Sequence, residues 1–227
     1  MSHHKSCWPS VAVLFCLLVT GPAQGADGGK TREVSIPGTG LALRVAKGVA
    51  VWPEKAAHAG DARLNVAVQT IQSFRDDGVV GVADVLDQRA ALNKGQAVVA
   101  DGWEETGLSD IVRLPIGRNA VIYPWYSPFE ICAMEFTMNA VFFVGDRRVT
   151  LQYTVPPAAI IREAPSNFVY DDDNCHATIW KHPEEDDDVL ERFHAAVKAG
   201  RAGSTANAWY ADFIAILASL RQKISTR

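Results

Sequence analysis

Apolar and polar residues alternate over long stretches of the chain up to about residue 155, and the spacing becomes helical toward the C-terminus. In "REVSIPGTGLALRVAKGVAVWP" the turn residues "PGTG" separate two short strands, the second carrying Leu41, Leu43 and Val45 at alternate positions. "RLNVAVQTI" repeats the pattern, with Leu64, Val66 and Val68 on one side and Asn65 and Gln69 on the other. Successive side chains of a strand point to opposite faces, so these stretches predict strands with one face buried. "QAVVADGWEE", "SDIVRLP" and "NAVIYPW" have the same character, and the turn "PIGRN" joins the last two.

The clearest element is "ICAMEFTMNAVFFVGDRRVTLQYTV". Cys132, Met134, Phe136, Met138, Ala140 and Phe142 fall on one face, and Glu135, Thr137 and Asn139 on the other. After "GDRR", Val149, Leu151, Tyr153 and Val155 alternate with Arg148, Thr150, Gln152 and Thr154. This predicts a long antiparallel hairpin with one face in the core and a polar face outside.

Helical spacing interrupts the strands once and closes the chain. In "GVADVLDQRAALNKG" the residues Val82, Val85, Leu86 and Ala90 lie on one helical face, and Gly95 stands where a C-terminal cap belongs. Asp186 to Asp188 put negative charge before "VLERFHAAVKAG", where a helix N-terminus favours it, and Gly200 ends that helix. Ser204 or Thr205 then caps a helix whose stripe is Trp209, Phe213, Ile216, Leu217, Leu220 and Ile224. Such a stripe needs a sheet or another helix to cover it. The order predicts an α+β fold, with the C-terminal helices packed against one largely antiparallel sheet.

The opening "SIPGTGLALRVAKGVAVWP", the helix after it, the "FFVGDRRVTLQYTV" hairpin and the closing "FIAILASLR" helix resemble, in element order, the Mog1/PsbP/DcrB-like group of small α/β/α sandwich proteins. The resemblance covers most of the chain but rests on no signature motif, so it assigns no functional residue. It implies an exported accessory or binding protein rather than an enzyme. The acidic stretch Asp171 to Asp188 is a departure from it.

The N-terminus specifies the compartment. "MSHHKSCWPS" carries a lysine and no acid, "VAVLFCLLVT" is an unbroken apolar run, and Ala23 and Gly25 precede Ala26 as a signal peptidase requires. This layout predicts a secretory signal over residues 1–25 and one domain over 26–227, with an excursion near 166–188. The apolar run is about half the roughly twenty residues of a membrane span. Cys16 follows bulky Phe15, which disfavours lipidation. Without Lys5 the exported chain has 21 basic and 26 acidic residues, a net charge of −5. That balance gives no electrostatic footprint for nucleic acid or an anionic membrane.

Cys7 and Cys16 leave with the signal, so Cys132 and Cys175 remain. An even pair in an exported chain predicts one disulfide, fastening the excursion to the hairpin. Cys175 lies in "DDDNCHATIWKHPEEDDD", which collects one cysteine, two histidines and eight acids. Cys175, His176 and His182 are zinc ligand types, but adjacent Cys175 and His176 turn poorly toward one ion, and no C-x-x-C or H-E-x-x-H spacing is present. A calcium loop would need alternating ligands and a central glycine. The first reading is therefore a solvated loop; the alternative is a transition metal such as zinc on His176, His182 and Asp173.

"IYPWYSPFEIC" crowds Tyr123, Trp125, Tyr126 and Phe129 around Pro124 and Pro128. On a rigid loop such aromatics offer large contact area at small entropic cost, and they equally serve as a hydrophobic plug over the end of a sandwich. Catalytic signatures are missing beyond the signal: residues 26–227 contain no G-x-S-x-G, no S-x-x-K and no phosphate-binding glycine loop. Glu104 and Glu105 are adjacent and would face opposite sides of a strand, His58 sits in a polar loop, and His194 is expected half-exposed on a helix edge. The sequence thus predicts a periplasmic or secreted binding or accessory protein without a cofactor, recognising an envelope protein or small ligand through Tyr123 to Phe129.

Overall fold

The hairpin read from residues 131–155 becomes the centre of a six-stranded sheet. The computed structural model describes residues 30–52, 62–75, 80–100, 108–128, 134–163, 169–171, 176–178 and 188–223. Strands β3 (Ala50–Val51), β4 (Arg63–Thr70), β5 (Asp110–Arg113), β6 (Asn119–Pro128), β7 (Met134–Val144) and β8 (Arg147–Val155) form this sheet in the order β3-β4-β8-β7-β6-β5. Every pairing is antiparallel except β3 with β4. The predicted turns are present: Gly145 and Asp146 join Val144 to Arg147, and residues 114–118 join β5 to β6.

Strands β1 (Thr31–Ile36) and β2 (Leu41–Ala46) pair around "PGTG" as expected, but they do not extend the main sheet. Instead β2 pairs on its other side with β11 (Arg221–Gln222), forming a separate three-stranded sheet. The buried side chains Ile36, Leu41, Leu43 and Val45 pack with one face of the main sheet, here called the first face. Helices α3 (Asp188–Lys198) and α4 (Ser204–Ala218) share that core. Trp209 meets Phe136 edge-on at 5.8 Å, Phe193 lies 6.1 Å from Phe136, and Phe213 stacks on Tyr153 at 6.3 Å. The indole Nε1 of Trp209 donates to the Tyr153 carbonyl at 3.2 Å, so the largest buried side chain leaves no donor unmatched. Leu220 is buried just past the end of α4, and Ile224 lies outside the described residues.

The expectation of a single buried hairpin face is corrected. Val121, Val141 and Phe143 on the second face pack with Ile71, Val85 and Leu92, the last two from helix α1 (Val82–Asn93). Thr137 and Asn139, expected in solvent, are buried. Helix α1 ends at Gly95 as predicted, but its inward face is Val85, Gln88, Ala91 and Leu92. Leu86 is exposed, and so is Ala90. A buried glutamine in the stripe shifts the phase that apolar residues alone suggest. Residues 96–100 form no strand, because the Val98 carbonyl accepts from Gln88 Nε2 at 3.0 Å instead of from a neighbouring strand.

The capping of α4 is also corrected. Ser204 and Thr205 are its first two residues, and their hydroxyls donate to Glu163 Oε1 at 2.7 Å. The Thr205 amide donates to Glu163 Oε2 at 2.8 Å, so the cap comes from the end of helix α2 (Pro157–Glu163), which no sequence pattern announced. Strands β9 (Val169–Asp171) and β10 (His176–Thr178) pair within the excursion, which therefore holds a small hairpin. The N-terminal segment read as a secretory signal lies outside the described residues, and no helix among the described residues is long and apolar enough to cross a membrane.

Candidate functional site

The aromatic segment is a strand, not a loop: β6 continues through Pro128, opposite Met134 of β7. Both prolines are compatible with this because β5 pairs no further than Ile122, and among the described residues β6 has from Tyr123 onward a ladder partner only in β7. A residue without an N–H is tolerated where no second ladder needs it. The strand geometry divides the cluster. Tyr123 and Trp125 share the second face, while Pro124 is buried toward the first and the backbone of Tyr126 pairs with Phe136. Phe129 lies outside the described residues.

Tyr123 is half-buried against the cluster beneath α1, whereas Trp125 is 38% exposed. Beside them runs a polar ladder across three strands. Asn65 Nδ2 donates to Gln152 Oε1 at 2.8 Å, and Gln152 Nε2 donates to Asn139 Oδ1 at 3.3 Å. One row further along, the hydroxyls of Thr137 and Thr154 are 2.8 Å apart. Tyr123 is opposite Asn139, and Trp125 is opposite Thr137. The row is uncharged apart from Arg63, exposed opposite Thr154.

A third aromatic borders the same face, and the sequence reading passed over it. Trp52 follows β3 and donates its N–H to the Leu64 carbonyl at 2.9 Å, which sets it level with Asn65. Val51 is buried in the first-face core, so alternation places Trp52 on the second face, where it is 73% exposed. Four interstrand steps separate Trp52 from Tyr123, about 19 Å at the usual strand spacing. The missed signal was "AVWP", in which tryptophan holds a polar position of the alternation.

The second candidate comes close to the first. Strand β10, which opens at His176, lies against both β6 and β7. The side chain of His176, and the residues His182, Asp173, Cys132 and Cys175, lie outside the described residues. Among the described residues no group of three or more His, Cys, Asp or Glu could hold a metal ion.

Three titratable groups with displaced pKa values, His194, Tyr210 and Asp212, lie elsewhere, on α3 and α4. His194, expected half-exposed, is 5% exposed, and its ring meets Tyr210 edge-on at 6.3 Å. Burial and, after it, the nearby Lys198 charge push its pKa down to about 4, against a smaller opposing effect of Asp110. Burial raises the carboxyl of Asp212 and the phenol of Tyr210. The desolvation that displaces these groups comes from the same helix packing that builds the core, so they mark packing rather than a cleft. His58, Glu104 and Glu105 lie outside the described residues. No model of a known protein family matches the chain, and no curated protein is significantly similar to it in sequence.

Proposed function

We propose that this is an exported, periplasmic or secreted protein that binds an envelope protein or a small ligand on the second face of its sheet. The observation that carries the proposal is Trp125, exposed on β6 opposite the buried Thr137 and beside a hydrogen-bonded row of amides and hydroxyls. A large aromatic held by a strand presents apolar area with little rotamer entropy left to lose, and the ladder fixes the polar groups around it. Trp52 supplies a second contact at the opposite edge. The export signal read from residues 1–25 places such a surface among envelope components.

The test is capture from envelope extracts and glycan arrays by the wild-type protein, Trp125→Ala and Trp52→Ala. The single variants are expected to bind less while keeping the wild-type unfolding midpoint. A double variant that unfolds normally and binds everything the wild type binds overturns the proposal.

A further inference from the structure

The second face carries another feature at the end remote from Trp125. A cleft of about 190 Å³ opens between the last turn of α1 and the β5–β6 turn. Its walls are Leu92, Asn93, Arg113, Gly117, Arg118, Asn119 and Phe143. Leu92 and Phe143 are buried beneath it; Arg113 and Arg118 are exposed at its rim. We infer that this cleft binds a small anion with a carboxylate or phosphate group.

Three properties support this. Arg113 Nη1 donates to Asn119 Oδ1 at 3.0 Å, and Asn119 Nδ2 donates to the Leu92 carbonyl at 2.7 Å. The guanidinium is therefore held by a neutral amide that is itself anchored to the helix end. Neither Arg113 nor Arg118 forms an ion pair among the described residues, and no acidic side chain among them lines the cleft. Two guanidiniums with no acidic partner among the described residues, on one small cavity in a chain of net charge −4, are a local exception to its overall sign. A planar guanidinium matches carboxylate and phosphate oxygens in a bidentate way that an ammonium does not.

The turn is built to hold this arrangement. Leu114 donates its amide to the Arg118 carbonyl at 2.8 Å, and Gly117 donates to the Leu114 carbonyl at 3.0 Å. Gly117 adopts φ +74°, a left-handed conformation that admits this tight closure, and a Cβ there would stand 3.9 Å from Arg113 Nη2. The arginines thus project from a closed turn rather than a long loop. The volume admits only a small ligand.

The test is an NMR titration of the purified ¹⁵N-labelled protein at low salt with phenyl phosphate, benzoate and inorganic phosphate. Saturating shifts at the amides of Gly117, Asn119 and Phe143 with phenyl phosphate or benzoate are expected, and the tighter of the two identifies the head group. The double substitution Arg113→Gln and Arg118→Gln is expected to weaken binding by about tenfold or more while leaving the remaining spectrum in place. No saturable shift up to about 10 mM of any of the three anions, or equal affinity in the double variant, overturns the inference.

Discussion

The Nε–H of Arg148 donates to Oε1 of Gln88 at 3.0 Å, joining β8 to α1 across 60 residues of sequence at a point where both side chains are buried. The other end of the Gln88 amide donates to the Val98 carbonyl, and the Arg148 guanidinium also lies over the Phe74 ring, 5.8 Å from its centroid. One glutamine therefore meets a buried charge and an otherwise strandless backbone segment.

Replacing Gln88 by Leu keeps the volume but removes both bonds. A buried polar group that loses its partner costs about 1–3 kcal/mol, and a charged one more, so Gln88→Leu is expected to destabilise by about 3 kcal/mol. Gln88→Glu keeps an acceptor for Arg148 and loses the donor to Val98, and it should cost less. Urea unfolding of both variants checks the order; Gln88→Leu as stable as the wild type would refute it.

His194 gives the protein a specific acid sensitivity. Its folded pKa, near 4, lies below the ordinary histidine value of 6.5. Between those values the unfolded chain holds more protons than the folded one, so stability falls as pH falls through that window and levels off below it. The full loss is about 3 kcal/mol at 1.36 kcal/mol per unit. Denaturant midpoints measured from pH 7 to pH 4 should fall more steeply in the wild type than in His194→Phe. Equal slopes would mean that other groups carry the acid response.

Glu163 and Gly203 form a coupled cap. Gly203 has φ 99° and ψ 161°, a region nearly confined to glycine, and a Cβ there would stand 2.7 Å from Glu163 Oε2 and 3.2 Å from Glu163 Cβ. Gly203→Ala is expected to cost roughly 1–3 kcal/mol from the backbone alone, with the collision added. In a Glu163→Ala background the Oε2 contact disappears and the Cβ contact remains, so the penalty should shrink without vanishing. Hydrogen bonds from Ser204 and Thr205 hold the Glu163 carboxyl below its usual range. The contribution of the cap is therefore present above the usual carboxylate pKa and is lost as pH falls through the lowered one. Hydrogen exchange at the Thr205 amide, which donates to Glu163, reports this: its protection relative to the intrinsic rate at each pH should fall in acid and in Glu163→Ala.

What the sequence disclosed follows from range. The β7–β8 hairpin was legible because Phe136 to Phe142 and Val149 to Val155 alternate on either side of a two-residue turn, a signal contained in neighbouring residues. The phase of α1 was not, since its inward face includes Gln88, whose partners Val98 and Arg148 are set by tertiary packing. The prolines made the aromatic segment from Tyr123 read as a loop, because the limit of β5 at Asp110, which pairs with Ile122, cannot be counted from β6 itself. The cleft at Arg113 draws Leu92, Arg113 and Phe143 from three elements, and only the assembled sheet brings them together.

The last prediction concerns Cys132 and Cys175, which lie outside the described residues, so it rests on the sequence alone. If the signal read in residues 1–25 exports the chain, these are its two remaining thiols, and in an oxidising compartment such a pair is expected to be joined. Closing that loop would contribute about 3–4 kcal/mol in the chain-entropy description. Alkylation of the denatured, unreduced protein followed by intact-mass measurement should leave both cysteines unlabelled, and reduction should expose both. Two labelled thiols before reduction would refute the bridge and return Cys175 to the set of side chains able to bind zinc, which dialysis and zinc titration of the same sample would then measure directly.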